Sequence, residues 1–230
     1  MVLRRGGLVF WEVGSWKLEV VELIFLLSPA NCGGNRARIV MSERATFDLA
    51  ARLRGPNGAP LGEVFCFMSG LYFRGKLAYS RAFARAPEGV EIEGGGVFVI
   101  TPNAGLRSPD TFVTLDAVRA FAGVDVSAGN PGYRRPLERS AQALAAESGD
   151  CPVVLLGSIA SPKYVDVLLS IFRDRLMFPQ EFVGRGDMSR GGLLLRCAAA
   201  REELTYIPVA GAVRTGTRPP KLDPATRVKS

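Results

Sequence analysis

The chain has 230 residues, and its 29 Lys and Arg exceed its 22 Asp and Glu, which gives a formal charge of +7. It contains no histidine, so a Ser-His-Asp triad, a Cys-His pair and any histidine-ligated zinc or haem within the chain are excluded. Proton transfer must use carboxylates, Tyr, Lys, Cys or water. Because 24 of the basic residues are arginine, anionic partners are favoured, although a codon bias toward Arg explains the same count.

The two ends of the chain differ in pattern from the rest. Residues 1–19 are interpreted as a poorly specified extension, because Glu12 and Lys17 interrupt the apolar core that a signal peptide needs. The pattern predicts one domain over 20–213, followed by a basic, proline-containing tail over 214–230. No stretch reaches the roughly 18 apolar residues that cross a bilayer. We therefore expect no membrane partner and a cytoplasmic location.

Strands and helices alternate along the predicted domain. Continuous apolar runs that end at Pro or Gly predict the strands, which are 21–28, 63–69, 97–101, 152–157 and 176–179. Apolar residues at helical spacing predict the helices, which are 43–54, 71–85, 115–122, 133–147 and a helix that starts at 162. Thr114 and Ser161 are the expected N-caps of two of these helices. A hairpin of 193–198 with 204–210 is predicted to close the domain.

This order of elements indicates an α/β fold. The predicted strands are continuous apolar runs, as is typical of strands that helices cover on both faces. The sequence therefore predicts a single three-layer α/β domain with a mostly parallel central sheet, helices on both faces and a C-terminal β-hairpin.

Polar, glycine-containing segments follow the predicted strands, at the edge of a parallel sheet where ligands bind. We expect these segments to form one pocket. Each segment alone is also explained as an ordinary turn, because Gly, Pro, Asn and Ser are common turn residues. The candidate substrate-binding residues are Ser28, Asn31, Asn35, Arg36, Ser69, Tyr72, Arg74, Lys76, Asn103, Ser158, Lys163, Tyr164, Arg185, Ser189 and Arg190.

The candidates offer three kinds of contact. Asn31 and Asn103 carry amide groups that could read the edge of a base. Tyr72 offers a ring for stacking, while the arginines and lysines offer contacts to phosphates. The alternative for Tyr72, Arg74 and Lys76 is a helix with an aromatic core stripe and solvated basic residues.

The segment 157–164 places Ser158 and Lys163 at a predicted helix start, whose free N–H groups attract anions. Simple helix capping explains the same residues. The segment lacks the spacing of a Walker A loop, and no G-x-G-x-x-G follows the first strand, so no cofactor is expected.

Asp187 is the candidate catalytic residue and lies between Arg185 and Arg190 in a glycine-rich segment. Flanking arginines keep such a carboxylate ionised, so that it could orient a water or stabilise a developing sugar cation. The competing interpretation is a local ion pair that only stabilises the loop.

The four cysteines are widely spaced and include no C-x-x-C pair. Neither a disulfide framework nor a metal site is therefore expected. Cys66 and Cys197 lie in apolar, strand-like runs, where cysteine usually serves as a small buried apolar residue.

Three segments resemble a known family in the same order along the chain. The first, LLSPANCGGNR at 26–36, resembles the strand and loop that open the YaaA-type peroxide-stress proteins and their short relatives. The second, SGLYFRGKLAYSRAFA at 69–84, and the third, VFVITPNAGLRSPDT at 97–111, resemble later motifs of these relatives. Together the matches cover about residues 23–115.

The resemblance implies a uracil-DNA-glycosylase-like fold, similar to the central domain of archaeosine-type tRNA-modifying enzymes, and an association with nucleic acid and nucleobases. Two departures matter. Asn31 and Cys32 stand where the SPAK-like pattern has Lys, so no role of that Lys carries over. Glycosylases of this group commonly use a catalytic His or Asp, and this chain has no His.

The expected function is therefore recognition of a nucleobase or nucleotide by a protein that acts on or near nucleic acid. As an enzyme it would cleave or exchange an N-glycosidic bond at Asp187, with base flipping for a duplex substrate. Two alternatives stay open: a non-catalytic DNA- or RNA-binding stress or defence protein, and an enzyme that acts on a small phosphorylated or nucleotide substrate.

Overall fold

The computed structural model describes most of the predicted domain. The described residues are 22–88, 92–160 and 162–213, with the short pieces 4–5, 8–9, 19–20, 216–217 and 219. The predicted N-cap Ser161 and most of the predicted extension and tail lie outside the described residues. The strands Arg4–Arg5, Leu8–Val9 and Glu19–Val20 form a small antiparallel sheet.

A six-stranded, mostly parallel sheet forms the centre of the domain. Its strands are β1 (Ile24–Leu27), β2 (Val97–Thr101), β3 (Gly105–Arg107), β4 (Val153–Leu156), β5 (Leu176–Pro179) and β6 (Tyr206–Pro208). Their spatial order is β6-β5-β4-β1-β2-β3. The four central strands are parallel, and the edge strands β3 and β6 are antiparallel to their neighbours.

Seven α-helices surround the sheet in the described part of the chain. They are α1 (Asn35–Met41), α2 (Asp48–Arg54), α3 (Leu61–Phe83), α4 (Leu115–Ala122), α5 (Pro131–Glu147), α6 (Pro162–Phe172) and α7 (Asp187–Ala200). Short 3₁₀ turns occupy 93–96, 173–175 and 180–182, and Ala59–Pro60 pairs with Phe112–Val113.

Helices cover both faces of the sheet, because every residue of β1 and β4 is fully buried. α3 packs against α7, and its Tyr79 ring meets the Phe25 ring of β1 edge-on, with 5.8 Å between the centroids. α5 packs against α6, while α5 contacts β2 and β3 and α6 contacts β5. The single α/β domain with a mostly parallel sheet, predicted from the sequence, is confirmed.

Two glycines let α3 and α7 approach closely. A Cβ on Gly75 would lie 2.6 Å from the Gly191 carbonyl oxygen, and a Cβ on Gly191 would lie 2.7 Å from the Tyr72 Cα. Both distances are shorter than any ordinary carbon contact. The crossing therefore fixes the second half of α3 against the start of α7.

Two of the predicted strands are wrong. Residues 63–69 belong to α3, and 193–198 belong to α7. A short apolar run does not distinguish a buried strand from a buried helix, and α3 is buried on several sides. The predicted C-terminal strand pair exists, but β5 and β6 form it.

Smaller differences concern helix ends. The predicted helix 43–54 begins only at Asp48, and the separate helix α1 was not predicted. Thr114 is the N-cap residue of α4, but its side chain makes no capping hydrogen bond. Cys66 and Cys197, expected in strands, lie on helices.

Candidate functional site

The strand order places a crevice at the carboxyl ends of β1 and β4. From β1 the chain crosses to β2 on one side, and β4 lies on the other side of β1. The loops that leave β1 and β4 therefore diverge, and ligands bind at such switch points in open α/β sheets. A cavity of about 820 Å³ lies here, within the size range of ligand pockets.

Several segments that are distant in sequence line this cavity. They are the loop after β1, the middle of α3, the segment 121–126, the loop after β4 with the start of α6, and the start of α7. Nine sequence-predicted residues are among the lining residues: Ser28, Asn31, Ser69, Tyr72, Lys76, Ser158, Lys163, Tyr164 and Asp187.

The lining has a buried and an exposed part. We call the buried residues Ser28, Tyr72, Lys76 and Tyr164 the floor. We call the exposed residues Asn31, Lys163, Asp187 and Met188 the mouth.

Lys76 is the central residue of the floor and is only 1% exposed. Its Nζ donates to the Ser28 carbonyl oxygen at 2.6 Å and to the Ser28 Oγ at 2.9 Å. The same Nζ lies 4.6 Å from the centroid of the Tyr72 ring and 4.7 Å from that of Phe73. Ring faces favour a cation, but burial has the larger effect and lowers the pKa of Lys76 to about 7.

Tyr164 completes the floor from α6. Its hydroxyl accepts a hydrogen bond from the Ser158 backbone N–H at 3.0 Å and also interacts with the Ser28 hydroxyl. Gly157 lies beside this pair, because a Cβ there would be 2.9 Å from the Ser28 Cβ and 3.0 Å from the Tyr164 Oη. The end of β4 therefore needs glycine for steric reasons. Burial raises the pKa of the Tyr164 phenol.

A break in α3 directs its second half into the cavity. Gly70 has φ 56° and ψ −128°, which interrupts the helix. On one side of the break, the Ser69 Oγ accepts from the Asn31 backbone N–H at 3.1 Å, which ties the loop after β1 to α3. On the other side, Tyr72 and Lys76 follow within two turns and reach the floor.

The mouth carries charges of both signs. Asp187 is the first residue of α7, and its carboxylate lies 3.6 Å from the Arg190 guanidinium with its side chain 70% exposed. Lys163 is exposed at the start of α6. The local Asp–Arg ion pair, which was the competing interpretation of Asp187, is therefore present. Asp187 also lines the cavity, so the ion pair does not remove it from the candidate site.

Seven predicted residues are not among the lining residues, and four of them are arginines. Arg185 donates to the Glu181 carbonyl oxygen at 3.0 Å and to the Ser189 Oγ at 3.2 Å. Arg190 donates to the Phe182 carbonyl oxygen at 3.1 Å. These two arginines stabilise the loop before α7. Arg36 donates to the Phe67 carbonyl oxygen and lies at the Gly70 break, and Asn35 accepts a hydrogen bond from Arg38. Arg74 is exposed on α3, and Asn103 is half-buried in the turn between β2 and β3.

No arginine is among the described residues that line the cavity. The sequence placed arginines on a phosphate-binding rim, because each follows a predicted strand. Residues 63–69 form a helix, however, and residues 187–190 form the first turn of α7, where Arg185 and Arg190 bind the preceding loop. The sequence does not indicate that Met68 and residues 121–126 line the cavity. The short segment GVDV at 123–126 has no motif that is typical of a binding site.

The cysteines do not supply a nucleophile. Burial raises the pKa of the Cys32 thiol, at the cavity, to about 12 and that of Cys66 to about 11. In the described part of the chain no three Cys, Asp or Glu side chains group as a metal site would require, and no helix is long and apolar enough to span a membrane.

Comparison of the chain with protein-family models, with curated proteins and with solved structures gave no match. The resemblance to YaaA-type proteins therefore stays a prediction from the sequence, and the site must be interpreted from its own chemistry.

Proposed function

We propose that this protein recognises a nucleobase or nucleoside in the cavity between β1 and β4. The observation that carries the proposal is the convergence of separate segments on a cavity of about 820 Å³ at the switch point of the sheet. Such a cavity accommodates a small ligand almost completely.

The chemistry of the lining supports a planar, largely uncharged ligand. Phe121, Val124, Val126 and Met68 provide apolar surface, and the exposed Asn31 provides an amide at the mouth. An amide side chain donates and accepts at the same time, as the edge of a base requires. With no arginine among the described lining residues, the base or nucleoside is a better candidate than a phosphate group.

The reaction that we propose for this ligand is cleavage or exchange of the N-glycosidic bond. Asp187 lies at the mouth, where its carboxylate would face a sugar whose base occupies the cavity. A negative charge at that position stabilises the oxocarbenium-like transition state of glycosidic bond cleavage. The bond between the base and C1′ breaks, water supplies the hydroxyl at C1′, and the base leaves with the remaining proton.

Nucleic acid remains a proposed partner. The proposal assigns contacts with the backbone of a strand whose base is flipped inward to Arg36 and Arg74, which are exposed and lie outside the cavity lining. The cytoplasmic location also remains a prediction from the sequence.

The second candidate function is binding without catalysis. It is favoured by the Asp187–Arg190 ion pair, because Arg190 offsets part of the negative charge that would stabilise a developing sugar cation. The carboxylate is also 70% exposed, so water screens its remaining charge. Base release separates the two candidates.

Calorimetric titration with free nucleobases and nucleosides tests recognition. Asn31→Ala is expected to weaken binding by roughly fivefold, because one hydrogen bond of about 1 kcal/mol is lost. Asn35→Ala is the matched control, since Asn35 lies outside the cavity, and it should bind as the wild type does. Equal affinity of both variants and wild type, or no binding of any base or nucleoside, would contradict recognition at this cavity.

Base release from labelled DNA, tRNA and nucleosides tests the reaction. Wild-type protein should release a base, and Asp187→Asn should release it at least about 100-fold more slowly. Absence of release by the wild type favours the binding function. Oligonucleotide affinity should fall steeply between low and high salt, and an affinity that is independent of salt would remove nucleic acid as a partner.

A further inference from the structure

The floor of the cavity holds a hydroxyl and an amine in direct contact. Ser28 follows the last residue of β1 and is 6% exposed, and its Oγ lies 2.9 Å from the Nζ of Lys76. A nucleophile and its base are recognised by side chains within hydrogen-bond reach, at about 2.6–3.2 Å. Serine–lysine pairs perform acyl transfer on several unrelated folds without histidine.

We propose that Ser28 is a nucleophile, that Lys76 is its general base, and that the cavity therefore hydrolyses a carboxylic ester or amide. The inference goes beyond the proposed function, because it assigns reactive groups that do not depend on which ligand the mouth recognises. It also requires no histidine as the general base, in agreement with the composition of this chain.

The environment of Lys76 favours the amine over the ammonium ion. No carboxylate is within salt-bridge distance of Lys76 in the described residues, and both of its hydrogen bonds go to Ser28. Three titratable groups face it: Asp187 from α7, and Cys66 and Tyr72 from α3. Asp187 and Cys66 favour its charged form, but less than burial disfavours that form. The result is a pKa of about 7 for Lys76, suited to a base at neutral pH.

The contacts of the pair match the needs of a neutral amine. In the ammonium form, Nζ donates both hydrogen bonds to Ser28. In the neutral amine, one N–H keeps the bond to the Ser28 carbonyl oxygen, and the contact at 2.9 Å reverses so that the lone pair accepts the Ser28 hydroxyl proton. Tyr164, whose hydroxyl is held by the Ser158 N–H, is a positioning residue for the Ser28 side chain. Ser69 and Ser158 also line the cavity, but neither has a lysine partner among the described contacts.

The reaction proceeds in two balanced steps. Lys76 takes the proton of Ser28 while Oγ bonds to the carbonyl carbon, and the bond to the leaving alcohol or amine then breaks as that group takes the proton from Lys76. Water next attacks the acyl ester and gives its proton to Lys76. The Ser28 Oγ–carbon bond breaks, Oγ recovers the proton, and a carboxylic acid leaves.

Covalent labelling of the full chain with an alkyl fluorophosphonate tests the pair. Oγ bonds to phosphorus, fluoride leaves, and Lys76 takes the hydroxyl proton. Intact mass and peptide mapping should locate one adduct on Ser28. The labelling rate should rise between pH 6 and 8, following the loss of the Lys76 proton near pH 7, and then level off.

Variants separate catalysis from packing. Ser28→Ala should take no label, and Lys76→Met and Lys76→Arg should be labelled at least about 100-fold more slowly, with no rise near pH 7. Ser170→Ala, on α6 outside the cavity, should keep the wild-type rate. Circular dichroism reports whether each variant folds. If Lys76→Met does not fold, the site of the adduct on the wild type and the pH dependence of its labelling rate test the Ser28–Lys76 pair without that variant.

Three results would overturn the proposal: no adduct on the folded wild type, an adduct on Ser158 or Ser69 instead of Ser28, or a labelling rate that is flat from pH 6 to 8. Labelling requires no nucleobase, so failure of nucleobase binding leaves this test unaffected. Conversely, an unlabelled protein that still binds nucleobases would reject only the serine nucleophile.

Discussion

The floor and the mouth of the cavity differ in how far their charged side chains are exposed to water. At the floor, Lys76 is removed from water and held by a serine, so burial changes its acid–base behaviour. At the mouth, the Asp187 side chain is 70% exposed, and its carboxylate lies 3.6 Å from the guanidinium of the more buried Arg190. The comparison teaches that burial strongly changes the acid–base behaviour of a side chain in this cavity, whereas exposure leaves a charge at its mouth screened by water.

The largest expected effect concerns Lys76 and the pH dependence of stability. Its pKa is about 7 in the folded chain and 10.5 as its ordinary value, so between these pH values the unfolded chain binds one more proton. Stability therefore rises with pH in this window. From pH 7 to 9 the wild type should gain up to about 3 kcal/mol relative to Lys76→Met.

Urea unfolding of both chains at several pH values measures this difference. The buried cysteines and tyrosines titrate alike in both chains, so their contributions cancel. Parallel stability curves for wild type and Lys76→Met would show that Lys76 is not buried as an amine.

A smaller effect is expected from a methyl group at the floor. Gly157→Ala places a Cβ within 3.0 Å of Ser28 and Tyr164 and should destabilise the fold by about 1–2 kcal/mol. Gly123→Ala is the matched change at the cavity's outer wall, where the nearest atoms are 3.7 Å away, and it should be neutral. Thermal unfolding compares them, and equal melting temperatures would mean that the floor is not tightly packed.

The smallest effect on stability is expected at the mouth. Asp187→Asn removes a long ion pair whose carboxylate is 70% exposed, while Arg190 keeps its bond to the Phe182 carbonyl, so the free energy of unfolding should change by less than about 0.5 kcal/mol. Urea unfolding at low and high salt provides the measurement. A loss of more than about 1 kcal/mol would assign Asp187 a structural role and weaken the division between floor and mouth.

The sequence predicts the sheet better than the helices that position the site. β1, β2, β4 and β5 are continuous apolar runs between turn residues, and their predicted parallel order indicates the edge of the sheet at which the cavity lies. The run at 63–69 has the same composition but lies in α3, because apolar pattern alone does not reveal whether a buried segment is extended or helical.

The same error explains why Lys76 was placed among phosphate contacts. On an isolated helix a lysine beside Arg74 suggests a solvated basic surface, and Arg74 is indeed exposed. Lys76 is buried where α3 packs against β1 and α7, and Gly75 beside it meets Gly191, more than 100 residues later in the chain. A contact of that kind has no local signature, and neither has the approach of Ser28 to Lys76.

The Gly75–Gly191 crossing also bears on the order of assembly during synthesis. Chains emerge from the ribosome with the N-terminal part first. The Ser28–Lys76 contact needs only the first third of the chain, but the helix that covers α3 is among the last elements translated. Until α7 is made, the face of α3 that it covers lacks its partner, so the buried environment of Lys76 should be completed only late in synthesis.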